Sequence, residues 1–202
     1  MKKIAAAIAC LVLGSVFLAL GLFQIYREQQ TLADGLIRFH VIANSNSGED
    51  QSVKLAVRDA LLSFMGGNEW ESREEAEGWI RDNLTLLEHE AQTVLTEKGM
   101  SYDAGATLHI EAYPTRDYET FSLPAGDYLS LKITLGKGEG RNWWCVAYPN
   151  FCMASAGKIQ LKPEQVLSQG EMALICERSP GVRFKFKLLE WIQFVRKFLQ
   201  DT

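Results

Sequence analysis

Cysteine and histidine carry much of the nucleophilic and metal chemistry of proteins, and this chain has four of the first and three of the second. Cys145 lies in Trp143-Trp144-Cys145-Val146, where apolar neighbours disfavour a thiolate unless a base such as His40 or His109 compensates. His40, His89 and His109 are too scattered to imply a metal site, and His89-Glu90 lacks a zincin's second histidine, because Thr93 stands in its place. No Gly-x-Ser-x-Gly elbow occurs. The glycines Gly136, Gly138 and Gly140 have phosphate-loop spacing, yet such a loop needs a helix N-terminus facing the anion, and residues 142–146 read as extended chain. A flexible hairpin turn is expected there. These residues supply no catalytic set, no metal site and no cofactor. Cys145 and Cys152 have a better structural reading: Pro149 and Asn150 suit a turn that folds the second cysteine toward the first. A bridge closing so short a loop contributes about 2 to 3 kcal/mol and leaves Cys176 free. The alternative is three buried thiols.

The elements that position these groups begin with an apolar leader. Lys2 and Lys3 precede residues 4–25, whose only clearly polar members are Ser15 and Gln24. At about 1.5 Å per residue this run crosses a bilayer core of roughly 30 Å as one helix. The lysines in front, with Arg27 offset by Glu28 behind, put the N-terminus in the cytoplasm and the bulk of the chain outside. Residues 1–26 therefore read as a signal anchor or signal peptide, with the anchor favoured because the small-x-small sites are poor. Cys10 reads as a small membrane-buried thiol. Residues 27–34 are expected as a tether and 35–202 as one extracytoplasmic domain. A hydrophobic fraction of 47% and a net charge of -4 describe a folded protein without the charge that binds nucleic acid.

Within the domain, residues 36–43 read as a central strand covered on both faces. Ser47 with Asp50 suggests a helix cap, and Val53, Val57, Ala60, Leu61 and Phe64 recur at helical spacing until Gly66-Gly67. On another side of that helix, Asp50, Lys54 and Arg58 follow at four-residue steps. A second helix is expected from Ser72 to Lys98-Gly99. Period-two segments at 107–113, 128–135 and 142–148 predict strands, the last two as a hairpin. A third helix is expected over 164–177. Residues 182–187 alternate apolar and basic, then Leu188, Trp191, Ile192, Val195 and Phe198 form a helical stripe. That stripe is expected to pack on the sheet, the alternatives being a docked partner or a membrane surface. The fold class is α+β, a single mixed domain behind one N-terminal helix.

The run Ile37-Arg-Phe-His-Val-Ile-Ala-Asn-Ser-Asn-Ser47, continued by Asp50-Gln-Ser-Val-Lys54 and Val57-Arg-Asp59, resembles the signature of the stage II sporulation protein R family. Further blocks agree: Leu123-Pro-Ala-Gly-Asp-Tyr128, the stretch from Ile133 to Val146, Pro149, Cys152 and Val182-Arg-Phe-Lys185. Asn46 departs from a commonly expected aspartate, and residues 153–158 are smaller and more polar than is usual. The resemblance implies a signal made in the forespore and exported into the space between the two sporulation membranes. There such proteins activate a membrane-embedded aspartic protease of the mother cell, which then processes pro-sigma-E. The chain itself would touch the cytoplasmic membrane through residues 4–25. On this reading Arg38, His40, Asn44, Ser45, Asp50, Gln51, Lys54, Arg58 and Asp59 are the receptor-contact candidates. Against that, Asn44, Ser45 and Asp50 could simply build a turn and cap, with Arg38 and Arg58 paired to internal acids. Two other classes stand beside the signal: an extracytoplasmic enzyme using Cys145, and a passive anchored scaffold.

Overall fold

The computed structural model describes residues 2–68, 70–118, 121–149 and 180–200. Cys152, Cys176 and the helix expected over 164–177 lie outside them. Helix α1, Lys2–Asp34, carries the apolar leader with its side chains exposed, Leu11 and Phe17 among them. The same helix then continues into the domain. Residues 27–34, expected as a tether, form its last two turns, and Gln29, Leu32 and Ala33 are buried.

Strand β1, Ile37–Ile42, leads through Ser47 into helix α2, Gly48–Met65. The Ser47 hydroxyl accepts the Asp50 backbone N–H at 3.1 Å, and Glu49 and Asp50 in the first turn complement the helix dipole. Ser72 caps the next helix in the same way, accepting from the Glu75 N–H at 3.1 Å. The single helix expected from there is two, α3 (Arg73–Asp82) and α4 (Leu84–Glu97). Asn83 makes the break. Its side-chain amide and its backbone N–H both donate to the Trp79 carbonyl, at 2.8 and 3.0 Å, and its own φ and ψ of -107° and 13° leave the helical range, so α3 ends there. Then follow β2 (Ala104–Tyr113), the short pair β3 (Arg116–Asp117) and β4 (Ser122–Leu123), β5 (Gly126–Leu135) and β6 (Asn142–Tyr148). Helix α5, Pro180–Gln200, closes the described chain, so the alternation at 182–187 belongs to a helix.

The four-stranded sheet runs β2-β5-β1-β6. The hairpin expected between β5 and β6 does not form, because β1 lies between them, parallel to β5 and antiparallel to β6. The antiparallel neighbour of β5 on its other side is β2, joined to it by way of the β3–β4 ribbon. Alternation along β1 divides the molecule. Ile37, Phe39 and Val41 face α2 to α4, where Val57, Leu61, Leu87, Ala91 and Leu95 complete a fully buried core. Each such leucine contributes about 1.5 to 3 kcal/mol by leaving water. Arg38 and His40 face the other way, beside a second core of Leu32, Leu36, Tyr113, Leu123, Tyr128, Val146 and Phe186.

Candidate functional site

Two stretches far apart in sequence interlock where β1 passes into α2. The loop after β5 crosses the end of β1, and its Glu139 and Gly140 N–H groups donate to the Asn44 and Ala43 carbonyls at 3.2 and 2.8 Å. The Asn44 side-chain oxygen accepts the Lys137 N–H at 3.0 Å, and that of Asn46 accepts the Arg141 N–H at 2.9 Å. Gly136 and Gly138 have φ of 55° and 64°, values that favour glycine. The glycine spacing therefore serves a crossing loop.

Asp50 is the centre of this junction. Its carboxylate accepts the Ser45 hydroxyl at 2.5 Å, the Tyr102 hydroxyl at 2.5 Å and the Asn44 amide at 3.0 Å. These bonds, Ser45's first, hold the Asp50 carboxyl down at about 2 against an ordinary 3.8, while burial keeps the Tyr102 phenol above its usual range. Gln51 donates to the Ser45 carbonyl at 2.8 Å. Lys54, expected on an exposed side, is buried: it donates to Gln51 at 2.7 Å and to the Arg141 carbonyl at 3.0 Å. Burial, then the Arg141 and Arg58 charges, pull the Lys54 ammonium below its ordinary value. Arg58 and Asp59 pair with each other at 2.7 Å, and Arg58 lies over the Trp143 ring at 5.2 Å. Asp59 is the outermost candidate, its side chain 56% exposed.

Because the folded Asp50 carboxyl titrates below its unfolded value, its stabilisation is complete above about pH 4 and is lost as pH falls through about 2. Asp50→Asn is expected to remove this acid-sensitive part, on the order of 1 kcal/mol once solvent screening is allowed for. Urea midpoints measured at neutral pH and at pH 3 check it: the gap between variant and parent narrows in acid, and a constant gap refutes the assignment.

On the opposite sheet face, β1 carries a buried charge. Arg38 is 0% exposed; one guanidinium nitrogen donates to the Tyr118 hydroxyl at 2.9 Å, while Nε and Nη1 have no hydrogen-bond partner among the described residues. Its carbon sits 4.3 Å from the Tyr113 ring centroid and 5.0 Å from that of Tyr128. Burial pushes the Tyr113 and Tyr118 phenols upward and Tyr128 to about 12, so these phenols are neutral and do not balance the cation. Two residues on, His40 stacks on Trp144 with centroids 4.7 Å apart and reaches Glu111 through Nε2 at 2.8 Å. Lys132 and His109 meet the other Glu111 oxygen at 2.9 and 3.1 Å. Burial would raise the Glu111 carboxyl, but the bonds and charges of His40 and Lys132 outweigh it and hold it at about 2. His40 is thus a buried strand histidine held at Nε2 by Glu111, its Nδ1 without a hydrogen-bond partner among the described residues, while His109 is exposed on β2 beside Glu111 and His89 is exposed on α4.

The nine candidates therefore divide. Arg38 and His40 lie on one sheet face, inside; Asn44, Ser45, Asp50, Gln51 and Lys54 build the junction at the end of β1; Arg58 and Asp59 stand at its edge. Arg58 pairs with its exposed neighbour Asp59, not with an internal acid, and Arg38 has tyrosines in place of an acid. Tyr102, Glu111, Tyr113, Tyr118 and Lys132 complete these networks without having stood out in the sequence. The signal for them was the polar pair at 38 and 40 inside a central strand, which obliges partners on that face. Cys145 is disulfide-bonded, which removes it as a thiolate nucleophile, and Cys10 is a free thiol. Peptide mapping under non-reducing conditions is expected to recover Cys145 linked to Cys152, and a Cys145–Cys176 peptide would overturn that pairing. Among the described residues, no group of three or more histidine, cysteine or acidic side chains is placed to hold a metal ion.

Fold and site together define a single α+β domain on an apolar N-terminal helix, its polar groups joined mostly to one another. The family model described as "Stage II sporulation protein R" matches residues 33–158. The chain is also 31% identical over 184 residues to the stage II sporulation protein R of Bacillus subtilis (strain 168), covering 80% of this chain and 81% of that protein. No solved structure matches it. The chain belongs to the stage II sporulation protein R family.

Proposed function

We propose that this chain is an exported forespore signal. It crosses or is held in the cytoplasmic membrane by α1, stands in the space between the two sporulation membranes, and activates a membrane-embedded aspartic protease of the mother cell, leading to pro-sigma-E processing. What supports the reading is the use of the polar groups: they are committed to fixing the strand-to-helix junction, and the one cysteine set among aromatics is in a disulfide. Such a domain acts by being bound. To switch the protease it must hold the active form more tightly than the inactive one, by about 5.5 kcal/mol for a shift from 1:99 to 99:1.

The proposed contact lies on the rim formed by Asn44, Ser45, Gln51, Arg58 and Asp59, with Arg38, His40, Asp50 and Lys54 holding that rim from within. Co-expression of the chain with the receptor protease and pro-sigma-E in a non-sporulating host tests the function, and absence of processing there would sink it. In the same host, changing Arg58 and Asp59 together to alanine is expected to lower processing roughly tenfold, the effect of about 1.4 kcal/mol at a contact, with the thermal midpoint little changed. Undiminished processing would take both residues out of the interface.

A further inference from the structure

Helix α5 is apolar on two opposite sides. Phe186 and Leu189 are buried against the domain. At about 100° per residue, Trp191, Phe194, Val195 and Leu199 fall within an arc of roughly 140° centred opposite that buried pair. Trp191 is 59% exposed, Phe194 71% and Leu199 69%. A helix apolar on both sides is covered on both sides in its working state.

The position of α5 identifies the cover. Lys185 pairs with Glu28 of α1 at 3.1 Å, and Leu189, Ile192, Gln193 and Arg196 line a cleft with Tyr26, Gln29 and Gln30. The polar contact and cleft of α5 from Lys185 to Arg196 thus fall on Tyr26 to Gln30 of α1, while Phe186 joins the core that holds Leu32. The turn they meet is the one just after Ile25, where the apolar run of α1 ends; Gln30 is only about 8 Å further along the axis. Where α1 stands across a bilayer, that turn is at the surface, and α5 is brought there with it. Arg196 pairs with Asp127 at 2.7 Å and fixes the far end of α5 to the sheet. Lys187, its side chain 81% exposed and paired with Glu190 at 2.9 Å, lies just inside the Phe194 edge of that arc, where a long side chain can carry its charge outward past the apolar face.

We infer that α5 docks its Trp191–Phe194–Leu199 face into the outer leaflet of the same bilayer that α1 crosses, so that the domain is held flat against the membrane at two points. The inference rests on α1 being a retained span. Docking adds a second point of attachment to α1 and so fixes how the rim at Arg58 and Asp59 is turned about the α1 axis.

The test uses the full chain in liposomes containing phosphatidylglycerol, with nitroxide-labelled lipids as fluorescence quenchers. Trp191 emission is obtained as the difference between the chain and its Trp191→Phe variant. Docking predicts that shallow-labelled lipids quench most of that difference, that deep-labelled lipids quench less, and that Phe194→Glu with Leu199→Glu abolishes the quenching. Alkaline carbonate extraction separates the two readings. Release of the chain into the wash overturns the retained span and the docking that rests on it; retention of the chain with Trp191 unquenched overturns docking alone. Quenching lost in favour of cross-links between α5 helices of two copies would assign the face to self-association and also overturn it.

Discussion

Replacing Arg38 by alanine is expected to destabilise the domain by about 3 to 5 kcal/mol, whereas Arg38→Met leaves it within about 1 kcal/mol of the parent. The contrast follows from what surrounds the side chain. Arg38 is fully buried, makes one hydrogen bond to Tyr118, and otherwise meets the rings of Tyr113 and Tyr128. Alanine empties a long, well-packed space beside the second core and removes the Arg38 hydrogen bond to the Tyr118 hydroxyl. Methionine keeps most of the volume and removes a cation whose Nε and Nη1 have no hydrogen-bond partner among the described residues. A desolvated cation–π contact contributes about 2 kcal/mol, less than the several kcal/mol that burying an unpaired charge costs. Chemical denaturation of the two variants decides. If methionine falls as far as alanine, the guanidinium itself stabilises the sheet and the accounting of burial against stacking is wrong.

This residue also shows what the sequence could and could not reveal. A run of eight alternating residues containing Arg38 and His40 was enough to place β1 in the middle of a sheet, and Ser47 with Asp50 was enough to start α2. Both signals are local, carried by neighbours along the chain. The hydrogen-bond partners of Arg38 and His40 come from residues 80 and 71 positions away, and nothing in local periodicity specifies them. The same limit explains the hairpin. Strands β5 and β6 are joined by a short glycine-rich loop, the usual mark of direct pairing, but insertion of β1 between them is a long-range choice made by its apolar residues on the helix-facing side. Lys54 follows the same pattern: four-residue spacing groups it with Arg58, yet the crossing loop brings the Arg141 carbonyl over it. At Asn83 the failure is of another kind. A side chain that shares the Trp79 carbonyl with its own backbone N–H ends one helix and begins the next inside an otherwise continuous stripe.

The crossing loop yields the second large effect. Gly140→Ala is expected to cost roughly 2 to 4 kcal/mol, because the added carbon would stand 2.2 Å from the Ser45 carbonyl oxygen, 2.7 Å from its carbon and 2.8 Å from the Ala43 side chain. Backbone cannot yield there as a long side chain would. Relief requires the loop to lift, and lifting breaks the Gly140 and Glu139 bonds to the Ala43 and Asn44 carbonyls. Gly105→Ala in β2 supplies the control, since nothing lies within 4 Å of its added carbon. For a domain of this size the first substitution lowers the thermal midpoint by roughly 5 to 15 °C, while the second stays within about 2 °C. Loss of the loop also releases Asn44 and Ser45 from the strand-to-helix junction, so under the function proposed above Gly140→Ala is expected to lower pro-sigma-E processing in the co-expression host even at temperatures where the domain remains folded. Equal midpoints for the two alanine variants would mean that the loop gives way freely, and the junction would then owe its shape to Asp50 and its hydroxyl partners alone.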